Sequence, residues 1–183
     1  MNKTAVLAAA GAVTLMAFLL RNQDAFFSAR LSAEQVKQMA ESTVEWHFPA
    51  VSPLMLRAMV EIESSRNPLA VRHEPHIRWK DGRKGDDSIG LMQTLVSTAQ
   101  WMATDMGANA YGIPQPQDLL VPEISMYMGA SYVNWLATYA GQARGEQWIV
   151  ESYNGGPNNS DSQTQNHWAK YQKAKQRLIQ EGV

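Results

Sequence analysis

The sequence predicts an α+β fold, mainly α, with one small β-hairpin and a hydrophobic helix ahead of it. Three observations lead there. Apolar residues recur at helical spacing through most of the chain, in runs opened by capping residues and closed by Gly or Pro. One polar stretch, residues 72–88 (RHEPHIRWKDGRKGDDS), interrupts them with turn signals at Asp81-Gly82 and Gly85-Asp86. Residues 4–20 (TAVLAAAGAVTLMAFLL) carry no charge.

That last segment lies between Lys3 and Arg21 and is just long enough to cross a hydrocarbon core of about 30 Å as a helix. The residues that follow, RNQDAFFSAR, offer no small-x-small cleavage site, so an uncleaved membrane anchor is expected over a cleaved signal peptide. The chain then divides into an anchor or signal segment, 1–30, and a folded domain, 31–183.

Within the domain, Ser32 and Gln35 have the form of a capping box before Val36, Met39, Ala40, Thr43 and Val44, a run stopped by Pro49. Ser52-Pro53 opens LMLRAMVEIES, which closes before Asn67-Pro68. His76-Ile77-Arg78-Trp79 is the expected strand of the hairpin. Ser97 with Gln100 opens a short helix ending at Gly107, and Pro122 a longer one ending at Gly141. Glu146 to Tyr153 breaks at Asn154-Gly155-Gly156-Pro157. A last amphipathic helix runs from about Thr164 to Ile179, with Trp168, Tyr171, Ala174 and Leu178 on its apolar side.

Composition narrows the function. In 183 residues, 45% are hydrophobic and 18% charged, which excludes a mainly disordered chain. Sixteen Lys and Arg against 17 Asp and Glu leave a net charge of -1, without the basic field that non-specific nucleic-acid binding requires. The absence of cysteine excludes disulfide scaffolds, zinc-thiolate sites and thiol nucleophiles. His73 and His76 form a His-x-x-His pair with no helical frame and no third ligand, so surface histidines are expected rather than a metal site.

One residue stands out as a carrier of chemistry. Leu56, Met59, Val60 and Glu63 fall at i, i+3, i+4 and i+7, so burial of the apolar stripe carries Glu63 to its edge at the helix end. Glu61 lies about 200° around the axis. There it is expected to meet Arg57 as a solvated pair worth about 0.3 kcal/mol, so the two carboxylates are not a catalytic pair. A carboxyl group against apolar side chains loses hydration, which disfavours its charged form. Such a group can donate a proton to a leaving oxygen and later take one back. A Glu that merely packs its stem and sends its head to water fits the same spacing.

The sequence after Glu63 adds to this. Glu63-Ser64-Ser65-Arg66-Asn67-Pro68-Leu69-Ala70 resembles the E-S-x-x-N-P-x-A element of the SLT-type lytic transglycosylases. Gly90-Leu91-Met92-Gln93 with Ser97-Thr98-Ala99 resembles their G-L-M-Q…T-A element, and Tyr153-Asn154-Gly155-Gly156-Pro157 their Y-N-x-G-P. The three blocks occur in the family's order, and the resemblance covers roughly Pro53 to Tyr171.

The resemblance implies a lysozyme-like fold, shared with goose-type lysozymes, and cleavage of the β-1,4 bond between N-acetylmuramic acid and N-acetylglucosamine in peptidoglycan glycan strands. It implies a 1,6-anhydro product, no cofactor and no metal. Glu63 falls on the family's single catalytic glutamate. Met92, Gln93, Tyr153 and Asn154 fall on substrate-groove positions, Tyr153 with its hydroxyl near the glutamate; core packing competes for Met92. The implied setting is the cell envelope, facing the periplasm and anchored through residues 4–20, with secretion after cleavage or a phage virion as alternatives. Partners would then include a secretion machine or a phage particle.

Several positions depart from the family pattern. Gln93-Thr94-Leu95-Val96 lacks the proline of G-L-M-Q-x-M-P, and Ser125 replaces the asparagine of P-x-x-N-I. In the later E-T-x-x-Y-V element, Gln163 stands for glutamate and His167 for tyrosine. Two other functions fit the residues. One is a hydrolytic muramidase in which Asp86 or Asp87, held about 6.5–9.5 Å from Glu63, positions a water. The other is a non-catalytic peptidoglycan-binding component. The polar segment 72–88 is the expected determinant of exo- or endo-cleavage.

Overall fold

The computed structural model describes residues 30–79, 81–157 and 159–182. The hydrophobic segment 4–20 lies outside them; among the described residues no helix is long and apolar enough to cross a membrane.

The capping signals act where the sequence places them. Helix α1, Ala33–His47, begins at Ser32, whose Oγ accepts from Gln35 N at 3.1 Å while Gln35 Oε1 accepts from Ser32 N at 2.8 Å. Helix α2, Pro53–Glu63, begins at Ser52, with proline in the first turn, where its missing N–H costs nothing. The sheet is larger than the predicted hairpin. It has three antiparallel strands in the order β1-β2-β3: β1 Val71–Arg78, β2 Lys84–Ile89 and β3 Thr94–Leu95. Val71 pairs with Ile89, His73 with Asp87, and Ile89 in turn with Thr94. The register shifts between Glu74 and Arg78, around Pro75, which has no N–H for the ladder. Trp79 stiffens the hairpin tip: its Nε1 donates to Gly85 O at 2.8 Å, and the Arg83 guanidinium lies 4.0 Å from its ring centre.

Helix α3, Val96–Thr104, differs from expectation at its start. Ser97 and Gln100 form no capping box; Gln100 Nε2 donates instead to Pro114 O at 3.0 Å. The cap is Asp86 of β2, whose Oδ2 accepts from Ser97 N at 3.1 Å. A 3-10 turn, Pro116–Leu120, leads into α4, Pro122–Ala137, and a second, Tyr139–Gly141, follows it; Ala140, at φ 56°, ends the helical path before Gly141. Helix α5 is Glu146–Gly155. Helix α6, Ser162–Gln180, is capped by Asp161, whose Oδ1 accepts from Gln163 N and Thr164 N, both at 2.9 Å.

Helix α4 is the central element. Its Met126, Ala130, Val133 and Leu136 join the larger core with α1, α2, α5 and α6, while Tyr127 and Met128 join a smaller one with α3, Ile89 and Leu119. Helix α6 closes the larger core with Tyr171, Ala174 and Leu178, and Trp168 stacks on Tyr171 at 5.3 Å. The sheet sits beside this bundle, and its short last strand carries the chain from Gly90 to the start of α3.

Candidate active site

Leu56, Met59 and Val60 of α2 are wholly buried, and Glu63, the last residue of the helix, has a side chain only 6% exposed. The stripe read from spacing thus ends on a carboxyl group withdrawn from solvent. The helix cannot run on past it. Ser65 and Arg66 adopt left-handed conformations, φ 51° and 66°, at about 1–2 kcal/mol per residue for a side chain with a Cβ. The turn is held by Asn67 Oδ1 accepting from Leu69 N at 3.0 Å and by Arg66 O accepting from Leu31 N at 2.9 Å.

Glu61 faces elsewhere, as its position around the axis requires, but its surroundings differ from the solvated pair expected with Arg57. Its side chain is 12% exposed and meets Arg177 at 2.7 Å and Arg66 at 3.1 Å. Packing of α6 along α2 supplies Arg177, a partner far away in sequence.

Tyr153, near the end of α5, donates its hydroxyl to Met92 O at 2.9 Å and meets Thr94 Oγ1 at 3.1 Å. Burial pushes its ionisation well above the ordinary tyrosine value, and the charge of Glu63 adds to that push, opposed by the Thr94 hydrogen bond. The phenol is therefore a neutral donor within electrostatic reach of the Glu63 carboxylate.

Other positions singled out in the sequence have clear structural places. Met92 is wholly buried, its side chain pressed against Gly129, where a Cβ would come within 2.5 Å of it; core packing is where its side chain stands. Gln93 is 8% exposed, and its Nε2 donates to Ala70 O and Gly90 O, both at 3.0 Å. Its amide nitrogen fastens the turn to the residue just before β1. Ser125 is fully buried and accepts from Met92 N at 3.2 Å, so the serine keeps a polar contact with this turn. Asn154 follows Tyr153 with its Oδ1 buried and without a hydrogen bond.

The carboxylates of β2 are otherwise engaged. Asp86 is 5% exposed, and its two oxygens accept from Asp87 N at 2.8 Å and Ser97 N at 3.1 Å. Asp87 pairs with His73, Nδ1 to Oδ1 at 2.9 Å, across the strands. His76 lies 3.8 Å from Glu74. Among the described residues no three His, Asp or Glu gather as a metal site would require. A cleft of about 450 Å³ opens between the hairpin and α3, lined by His73, Trp79, Asp87, Gln100 and Gln115; Glu63 does not border it.

Sequence reasoning noted His167 only as a departure from the family pattern. In the structure its Nε2 is 3.1 Å from Glu63 Oε1, with side chains 10% and 6% exposed. Two signals pointed to it: a titratable residue where the family has tyrosine, and its place four residues before Tyr171 on the buried face of α6.

The family described as the transglycosylase SLT domain matches residues 45–177. The chain belongs to that family. Among solved structures, the 70 kDa soluble lytic transglycosylase SLT70 from Escherichia coli is similar at 18% identity and a TM-score of 0.47, over 73% of this chain and 19% of that one. This chain thus matches about a fifth of the other's length. A search of curated proteins finds no match.

Proposed function

We propose that the chain is a peptidoglycan lytic transglycosylase that cleaves the β-1,4 bond after N-acetylmuramic acid and closes a 1,6-anhydro ring. The observation that carries the reading is Glu63: one carboxyl group, 6% exposed, at the end of a buried helix face, with a neutral phenol in electrostatic reach. Glu63 gives its proton to the glycosidic oxygen as the bond to C1 breaks, and the substrate's N-acetyl group stabilises the developing positive charge. The resulting carboxylate then takes the proton of the C6 hydroxyl as that oxygen bonds to C1. The nucleophile belongs to the same sugar, so its effective concentration is high and no second carboxylate is required to activate a water.

Hydrolysis through Asp86 has less support, since both its oxygens already accept backbone N–H groups. The substrate sets the place of action at the cell wall, with the segment 4–20 as the proposed tether. Mass spectrometry of muropeptides released from purified sacculi tests the reaction. The wild-type chain should release 1,6-anhydro ends, and Glu63→Gln should release none. Retention of more than about a tenth of the wild-type rate would overturn the role of Glu63, since acid-base groups usually supply about 10²–10⁴-fold.

A further inference from the structure

Glu63 has a second neighbour that the mechanism above does not use. His167, on the second turn of α6, brings Nε2 to 3.1 Å from Glu63 Oε1. That nitrogen is buried and makes no hydrogen bond in the geometry shown. A buried polar nitrogen left without a partner is costly, and of the partners recorded around it the carboxyl group is the one at hand.

We propose that His167 is the positioning residue of this site: its Nε2 holds Glu63 Oε1, leaving Oε2 as the oxygen that hands over the proton and takes one back. This rests on the reading of Glu63 as acid and base. The division of labour follows from geometry. With Oε1 turned into the protein against α6, the carboxyl plane is fixed and its other oxygen is free to work. The proton balance is unchanged: Oε2 loses one proton to the glycosidic oxygen and regains one from the C6 hydroxyl. The imidazole begins and ends in the same state.

The other charged groups on the packed elements have their own places. On α2, Glu61 is held by Arg66 and Arg177, and Arg57 is buried six residues before Glu63. On α5, Glu151 accepts from Gln147 and Tyr153 is turned to Met92. Lys170 on α6 is exposed, as are Glu41 and Glu45 on α1, where Lys37 is half-buried. Glu123 opens α4, where burial pushes its carboxyl up.

Two measurements on the purified full chain test the proposal. The first is the kcat and KM of glycan-strand cleavage for wild type, for His167→Phe, which removes the ring nitrogens, and for His167→Tyr, which restores a donor and the residue type of the family pattern. His167→Phe should lose about tenfold or more in kcat with KM changed less than about twofold, the mark of lost orientation and not of lost binding, and His167→Tyr should lose less. An unchanged kcat in His167→Phe would overturn the proposal. The second is the ¹⁵N shift of His167 Nε2 at pH about 8, which responds to a hydrogen bond from that nitrogen to a carboxylate. It should differ between the wild type and Glu63→Ala; the same shift in both overturns the contact. The failures are separable. A wild-type chain that yields no anhydro product, yet whose His167 Nε2 shift depends on residue 63, sinks the lytic reading and keeps the contact. Anhydro product with neither response does the reverse.

Discussion

The Tyr153 hydroxyl donates to the Met92 carbonyl at 2.9 Å and so joins the end of α5 to a turn 61 residues earlier. The same hydroxyl meets Thr94 at the start of β3. Two of the three sequence blocks around Glu63 are therefore fastened together by one phenol. Tyr153→Phe keeps the ring and removes the donor, leaving the Met92 carbonyl and the Thr94 hydroxyl short of a partner. The expected cost is about 1–3 kcal/mol, read as a lower urea midpoint. Cleavage should fall as well, because the loosened turn borders the site.

Asp86 tests hydrolysis against transglycosylation by its position in the fold. It caps α3 from the neighbouring strand, through Ser97 N. Asp86→Ala should cost about 1 kcal/mol, as other lost N-caps do. Its products should still carry 1,6-anhydro ends, at a rate well above that of Glu63→Gln. A wild-type chain yielding reducing ends, with Asp86→Ala as inactive as Glu63→Gln, would show that the aspartate activates water.

Which features were legible in the sequence follows from how local their causes are. The starts of α1 and α2 and the placement of Glu63 depend on residues within two turns of one another, so spacing and capping chemistry were enough. The cap of α3 was not legible, because the accepting residue, Asp86, stands eleven positions upstream on β2, and the local Ser97–Gln100 pattern points to a box that does not form. Strand β3 is two residues long and has no alternating pattern of its own; pairing with Ser88 and Ile89 makes it a strand. Glu61 with Arg177, and Glu63 with His167, both depend on how α6 lies along α2. Periodicity gives the face of a helix but not its partner across the packing interface.

Acid should loosen the junction of α5 and α6. Glu146 accepts from the Tyr171 hydroxyl and from Lys175 Nζ at 2.6 and 2.8 Å. Partial burial raises its carboxyl, but the Lys175 and Tyr171 hydrogen bonds outweigh that and hold it below the ordinary glutamate range. A folded-state value below the unfolded one stabilises the fold above the unfolded range, about 4.3, and that stabilisation is lost as pH falls through the folded value. Glu146→Gln should therefore lower the Tm at pH about 7 and flatten its decline below about 5. Parallel Tm–pH curves for the two proteins would contradict the assignment.

Two glycines separate backbone strain from crowding. Gly156, at φ 82°, ends α5, and a Cβ there would meet nothing within 4 Å. Gly90, at φ 78°, opens the turn before Met92, and a Cβ there would come within 2.0 Å of the Leu119 carbonyl and 2.6 Å of Ser125 Oγ. Both positions require the left-handed region that glycine enters freely. Gly156→Ala meets only the conformational penalty, about 1–3 kcal/mol at φ 82°, ψ 160°. Gly90→Ala meets that penalty and a clash with backbone that cannot swing aside, so Leu119 or the turn itself must move. The turn carries Met92, whose carbonyl takes the Tyr153 hydroxyl, so its displacement reaches the site. Urea unfolding and cleavage assays on the two variants should therefore diverge: Gly156→Ala modestly less stable and active, Gly90→Ala much less stable and nearly inactive. Equal losses in the two would mean that crowding beneath Gly90 is relieved without moving the turn.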